Sequence, residues 1–320
     1  MTASSASEPG IAVDLTAVVI GVENDAPQVL VVPGSTGGCA ALPAGPLSTG
    51  DRTLQAGLRR WVEAQTGHRL GYVEQLYTFG DRAPRAPEAA AARTLSIAYL
   101  ALTPDIGAVS GQGAAWRRWY GCFPWEDWRD GTPVGFDALV DAVTAWAADA
   151  PDSGRRERVR WTFGLDGAPW DEERALERYE LLYEAGLVPE AWIDRGRAVP
   201  DDAARLPGTS MALDHRRILA TAISRLRGKI KYRPVLFELL PETFTLSQLQ
   251  RTAEALSGLR LHKQNFRRRV ESLGLVEDTG QKATDTGGRP ARLMRFRRDV
   301  VLERPAPGVR GHATRRAGFP

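Results

Sequence analysis

The sequence predicts an α/β protein: a mixed sheet sandwiched by helices, enlarged by a helical insertion and completed by a C-terminal winged helix-turn-helix. Three observations carry this. Apolar, β-branched runs at 13–22, 28–33, 72–77 and 95–102 are interrupted by one helical pattern at 53–65, which is the signature of a mixed sheet with a covering helix. Two short helical patterns, 246–256 and 262–273, flank a glycine-bearing turn and precede a hairpin. Charge is divided: from Arg225 onward there are 21 Lys and Arg against 9 Asp and Glu, whereas residues 1–224 hold 21 against 30. The overall net charge of +3 conceals this split. It reads as an acidic part joined to a part suited to a polyanion.

The 320 residues leave room for two or three domains, with 43% hydrophobic and 25% charged residues as in ordinary soluble globular chains. Cys39 and Cys122 lie far apart without metal spacing, so a reduced, cytoplasmic setting is expected. The first residues lack a basic segment leading into an apolar one, and no apolar run approaches membrane-spanning length. The expected division is a disordered tail at 1–10, the sheet domain at 11–115 and an aromatic-rich helical insertion at 116–210. A linking helix at 211–228, the winged helix at 229–300 and a basic flexible tail at 301–320 follow.

Taken in order, the runs 13–22 and 28–33 surround Glu23-Asn24-Asp25-Ala26-Pro27 and predict a hairpin. Residues 34–38 predict a loop, and Leu42-Pro43-Ala44-Gly45 begins another. Leu54, Gly57 or Leu58, Trp61 and Val62 recur at helical spacing, and Thr66-Gly67 closes that helix. In the insertion Trp116, Trp119, Tyr120, Phe123, Trp125 and Trp128 crowd together. They predict a satellite core, with nucleobase stacking or a dimer surface as the alternative. A helix is expected at 136–148 through Leu139, Val143 and Trp146, then a linker at 151–158. Asp171 is expected to cap a helix reaching Tyr183, ended by Gly186, and 194–210 reads as a second linker. Glu126, Asp127, Asp171, Glu172 and Glu173 read as solvated helix-start acids. The stretch 213–229 predicts a long amphipathic helix, in which His215 has no second ligand four residues on and reads as structural. Lys229, Lys231 and Arg233 follow at spacing two, as in an extended strand with one basic face. They either touch phosphates, which positions a protein without reading sequence, or simply face water.

In the C-terminal part, Thr245 followed by Gln248 is a capping-box pattern that starts a helix at Leu246. In the next helix Phe266, Val270 and Leu273 face inward, and Lys263, Gln264, Arg267, Arg268 and Arg269 lie largely opposite. Such a run alone reads as a solvated face. After a helix and a turn, and before a hairpin, it is the layout of a reader whose second helix enters the major groove of DNA. The hairpin is expected as a strand from 275–276, a polar loop at 277–286 and a return strand at 287–296, with Arg289 or Arg292 reaching a minor groove. The candidate DNA contacts are therefore Lys263, Gln264, Asn265, Arg267, Arg268, Arg269, Arg289 and Arg292, with Lys229 and Lys231 as phosphate contacts. Gln264 and Asn265 suit adenine, and the arginines suit guanine edges or phosphates.

The order LPAG, TLQAGLRRWVEAQTG, YVEQLYTFGD and LSIAYLAL resembles a Nudix domain. In that family a glycine-rich loop enters a helix whose glutamates hold a divalent metal beside a pyrophosphate, since Mg²⁺ takes oxygen ligands and neutralises diphosphate charge. The signature runs from a glycine through a glutamate to REUxEExGU, where U is apolar. Aligned from Thr66-Gly67, its arginine falls on Arg60, the next glutamate on Trp61, the metal pair on Ala64 and Gln65, and the earlier glutamate on Arg52. Aligned from Gly45, the positions become Asp51, Arg59, Arg60, Glu63 and Ala64. Neither frame gives a paired-carboxylate site, so no catalytic residue, metal ligand or cofactor is expected. An active nucleoside-diphosphate hydrolase relying on Glu63 or Asp51 is the rival reading. From Leu213 to Phe296 the chain resembles the Nudix-related transcriptional regulators of NAD metabolism, through LDHRRILATAISRLRGKIKYRPVLFELLPETFTLSQLQ, NFRRRVESLGLVE and GRPARLMRF. The resemblance implies a dimer on operator DNA, a non-hydrolytic sensor and ADP-ribose or a related nucleotide as effector.

Overall fold

The computed structural model describes residues 11–34, 38–80, 93–149, 153–201, 203, 206–283 and 290–299. The expected tails at 1–10 and 301–320, and Arg289 of the wing, lie outside the described residues. The mixed α/β sheet, the helices on both its faces, the insertion and the winged helix are all present.

Strand β1 (Ile11–Glu23) is central. It turns into β2 (Ala26–Pro33) at Asn24 and Asp25, whose φ values of 48° and 58° are left-handed. Two such residues make the tight turn that matches strand twist, and Asn and Asp tolerate it best after Gly. Glu23 therefore pairs with Ala26, and the loop is shorter than the five residues expected. β3 (Ala40–Ala41) and β4 (Ala44–Pro46) are short. β5 (Tyr72–Phe79) and β6 (Arg93–Leu102) complete the strand order β3-β2-β1-β6-β5 across the sheet, with β4 on β1. β1 and β6 are parallel, from Ile11↔Arg93 to Ile20↔Leu102.

The two-residue period of β1 divides the core. Leu15, Ala17 and Val19 face helix α1 (Leu54–Thr66) through Leu58 and Val62. Val18 and Ile20 face the other way, onto α6 (His215–Ile230), which presents Ile218, Leu219, Ala222, Ile223 and Leu226.

The insertion is not a satellite. β7 (Ala115–Arg118) pairs with β2, Leu30 opposite Trp116, so the expected boundary at 115/116 falls inside a sheet strand. The chain then turns through Trp119–Gly121 and Pro124–Glu126. It continues as α2 (Phe136–Ala148), α3 (Gly154–Phe163), α4 (Ala175–Glu184) and α5 (Pro189–Ile193). Trp119, Phe123 and Trp125 are fully buried in the same core that Val18 and Ile20 enter, and that core runs on to Phe244, Leu256 and Val270 of the winged helix. The expected linker at 151–158 is corrected from Gly154 onward: Val159, Thr162 and Phe163 are buried at helical spacing and draw it into α3. His215 is structural as expected, its Nδ1 accepting from Leu42 N–H at 2.9 Å.

The largest correction concerns Glu126, which is 1% exposed rather than solvated. Arg178 of α4, itself fully buried, donates from Nε and Nη2 to the two Glu126 oxygens at 2.5 and 2.9 Å. Arg227 of α6 donates to the same carboxylate from Nη1. Burial alone would push the Glu126 carboxyl up, but Arg178 and Arg227 outweigh burial and hold it below its ordinary value of 4.5. A group depressed on folding contributes stability that is complete above its unfolded pKa and fades as pH falls through its folded one. Glu126→Gln, which leaves two buried guanidiniums without their counter-charge, is expected to cost about 3–5 kcal/mol. Thermal unfolding across pH should show wild-type stability declining below about pH 4.5 and the variant losing part of that decline.

Candidate nucleic-acid interface

Thr245 and Gln248 close the capping box expected of them. Gln248 N–H donates to Thr245 Oγ1 at 3.1 Å, and Thr245 N–H donates to Gln248 Oε1 at 2.7 Å. They start α7 (Leu246–Ser257), which ends at Gly258 with φ 73°. A Cβ at Gly258 would lie 2.1 Å from the Glu126 carbonyl oxygen, so the turn is pressed onto the insertion. Helix ends carry unpaired carbonyls, and here other parts of the chain supply donors. Tyr120 Oη donates to Ala255 O at 2.7 Å, Arg227 Nε to Leu256 O at 2.9 Å, and Trp128 N–H to Gly258 O at 2.8 Å. Beside them Glu254, largely buried, accepts from Leu261 N–H at 3.0 Å and pairs with Arg260, which also reaches Asp130 at 2.8 Å.

Helix α8 (Lys263–Ser272) follows, with His262 at its N-cap. Phe266 and Val270 anchor it in the core, at 4% and 0% exposure. Lys263, Gln264, Asn265 and Arg268 face solvent. The side chains of Lys263 and Gln264 have no hydrogen-bond or ion-pair partner among the described residues. Arg268 donates to its neighbour Asn265 Oδ1 at 3.1 Å. Arg267 and Arg269 are half-buried, and Arg267 Nη2 donates to Ser247 Oγ of α7 at 3.1 Å. No acid occupies the first turn of α8, so its positive end is uncompensated.

The wing is a hairpin of β9 (Val276–Ala283) and β10 (Ala291–Phe296), backed by the short β8 (Thr243–Phe244) on the far side of β10. The expected loop at 277–286 is corrected over Glu277–Ala283, which is strand. Its polar residues pair across the ladder, Arg295 with Glu277 and exposed Arg292 with Asp278 at 3.3 Å.

Lys229 and Lys231 are corrected more fully. They sit in the last turn and at the C-cap of α6, not in a strand, and that places the boundary at 229 inside a helix. Lys229 pairs with Glu74 of β5. Lys231 pairs with Glu172 at 2.8 Å and Glu173 at 2.5 Å. Burial would lower the Lys231 ammonium pKa, but the two glutamates outweigh burial and raise it. Both lysines are thus held by acids of the same chain.

At α1, Thr53 caps the helix. Gln65 accepts from Ala44 N–H at 3.1 Å and donates to Ala44 O at 2.8 Å, and Trp61 Nε1 donates to Pro46 O at 2.9 Å. A Cβ on Gly45 would meet the Trp61 ring at 2.3 Å. Neutral side chains therefore clamp the helix to the preceding loop. Asp51 pairs with Arg60 at 2.9 Å, and the hydrogen bonds from Arg60 and Ser48 hold its carboxyl below the usual range. Glu63 pairs with Arg69 at 2.8 Å. Among the described residues no group of three or more His, Cys, Asp or Glu is placed to hold a metal ion.

The chain thus joins a mixed-sheet α/β domain to a winged helix whose second helix is open and cationic. Residues 236–296 match the family of the NrtR DNA-binding winged helix domain. A curated relative from Acinetobacter baylyi, the ADPR responsive transcriptional repressor NtrR, is 42% identical over 86 residues, which is 27% of this chain and 34% of the relative. The match thus spans about a third of that relative. Among solved structures, Shewanella oneidensis NrtR complexed with a 27mer DNA aligns with a TM-score of 0.54 at 21% identity, covering 94% of this chain and 99% of the other. A MutT/nudix family protein from Enterococcus faecalis aligns at 0.52 and 15% identity, covering 93% and 90%. At these identities the alignments establish the fold.

The pairing of Lys231 yields an expected outcome. Lys231→Ala should leave DNA affinity and its salt dependence unchanged, whereas Lys263→Ala should lower the salt slope by about one unit. Titrations at several salt concentrations check both.

Proposed function

We propose that the chain is a transcriptional regulator that grips duplex DNA with α8 and its wing, while the Nudix-like domain senses a nucleotide. The observation that carries this reading is the solvent-facing set Lys263, Gln264, Asn265 and Arg268 on the second helix of a winged helix of the NrtR family. The long side chains suit phosphate and guanine, and the two amides suit adenine. Arg267, tied to Ser247, fixes α8 against α7 and reaches DNA only on release; Arg269, Arg289 and Arg292 remain candidate backbone and minor-groove contacts. The Acinetobacter relative is described as responsive to ADPR, and the Shewanella protein was crystallised with DNA. These descriptions support ADP-ribose or a related nucleotide as effector, and duplex operator DNA as partner. As a homodimer, the chain would place its two α8 helices in half-sites about 34 Å apart. A ligand shifts DNA affinity only by binding the DNA-competent and incompetent arrangements unequally. We further propose that α1 does not hydrolyse diphosphates, because its neutral clamp and arginine-paired acids leave no two carboxylates side by side.

Fluorescence anisotropy with DNA from the chain's own upstream region tests the proposal. Binding should weaken steeply with salt, and Lys263→Ala combined with Arg268→Ala should reduce affinity at least tenfold with the melting temperature unchanged. Binding indifferent to salt and to both substitutions would refute it. Incubation with ADP-ribose and Mg²⁺ should release no AMP; turnover abolished by Glu63→Gln would replace the sensor with a hydrolase.

A further inference from the structure

The turn between β1 and β2 reaches across to the helix-turn-helix. Arg251 of α7 donates from Nε to the Asp25 carboxylate at 2.9 Å. Arg129 of the insertion donates from Nη1 to the Asp25 carbonyl oxygen and pairs with Asp127 at 2.7 Å. Arg260, in the turn before α8, donates to the Arg129 carbonyl oxygen at 3.2 Å. The sheet, the insertion and the helix-turn-helix therefore meet around one residue, Asp25.

Arg251 belongs to the helix that meets the DNA backbone in this kind of motif. The first helix of a helix-turn-helix crosses the phosphates while the second enters the groove. Within Leu246–Ser257, Arg251 is the only Lys or Arg. It follows Ser247 by four residues and so lies on the same helix face. Ser247 is the residue that accepts from Arg267 of α8, so the Arg251 guanidinium belongs to the face of α7 that α8 touches. It stays 47% exposed, and its partner Asp25 is 54% exposed. Exposed ion pairs contribute little to stability and are readily exchanged. A guanidinium holds a carboxylate and a phosphate through the same fork of donors. Asp25 thus occupies the position that a phosphate oxygen would take.

We infer that Arg251 is a contact to the phosphates of duplex DNA, and that Asp25 competes with the phosphate for it. This rests on the DNA-binding half of the proposed function, and adds to it a cation of α7 and an opposing acid from the α/β sheet. Engagement exchanges the Arg251–Asp25 pair for an Arg251–phosphate pair, with no change of protonation. Such a contact positions the duplex without reading its sequence. Because Asp25 sits in the turn that joins two sheet strands, any rearrangement that withdraws this turn frees Arg251 for DNA.

Fluorescence anisotropy of the full chain tests the inference on a duplex from its own upstream region and on a duplex of scrambled sequence. Arg251→Ala should weaken both by the same factor, about threefold or more, and lower the salt slope by about one unit. Arg251→Lys, which keeps the charge without the fork, should retain the salt slope; a role for the guanidinium in packing alone would leave the slope unchanged in both variants. Asp25→Asn, which keeps a residue tolerant of the left-handed turn, should tighten both duplexes about threefold at about 150 mM salt, where charges more than about 8 Å apart are screened. That tightening should vanish in the Arg251→Ala background. Melting temperatures of the variants should match the wild type, because the pair is exposed. Equal tightening by Asp25→Asn with and without Arg251 is general repulsion and overturns the inference. Wild-type affinity and salt slope in Arg251→Ala overturn it as well. In both cases loss of binding on Lys263→Ala with Arg268→Ala leaves the reading of α8 standing. A wild-type chain that binds neither duplex overturns the inference together with the DNA-binding function.

Discussion

A single carboxylate, Glu126, buried between the guanidiniums of Arg178 and Arg227, is the constraint on which the arrangement of this protein depends. Taking three charges out of water carries a large desolvation cost, and such a cluster persists only when hydrogen bonds satisfy its remaining donors. Here they are satisfied by parts of the chain far apart in sequence. Arg178 also donates to Thr162 O at 2.9 Å, and Arg227 to Glu172 O at 2.9 Å and Leu256 O at 2.9 Å. The cluster therefore requires the insertion, the long helix α6 and the end of α7 to be correctly placed at once.

Its consequence for function lies in the helix-turn-helix. A reader helix recognises bases only if its approach angle is fixed, and the turn before it is the natural point of play. In this chain the carbonyls at the end of α7 accept from Tyr120, Arg227 and Trp128, and Gly258 lies against the Glu126 backbone. The insertion thus supports α8, and the continuous apolar core from Val18 to Val270 gives that support a packed base. Packed interiors resist small deformations, and this core joins α6 and the insertion to α8 without a break.

Much of the fold was legible in the sequence where the causes are local. Helix α2 begins at Phe136 and ends at Ala148 as its periodicity indicates. Thr245 and Gln248 form the box that their spacing of three predicts. The exposed edge of α8 was readable too, because Phe266 and Val270 fix which side is inward. Glu126 was not, since its partners stand 52 and 101 residues away, and an acid in a short turn carries no local sign of burial. From Glu277 onward the mostly polar sequence of β9 points to a loop; it is strand because β10 supplies the ladder, a long-range cause. The spacing of Lys229 and Lys231 does not distinguish a strand from a helix end, where spacing of two also occurs. For the sites, residue type pointed to α8 but could not tell Arg267, turned toward Ser247, from Arg268 beside it.

The claim that the buried Glu126 cluster fixes the reader's turn is tested most directly by hydrogen exchange of the backbone amides from Glu254 to Phe266 in the wild type and in Glu126→Gln. The account predicts that exchange in this stretch accelerates by an order of magnitude or more while amides of α1 and β1 stay protected. Equal protection of the turn in both proteins, or loosening spread uniformly over α1, β1 and the turn, would contradict it.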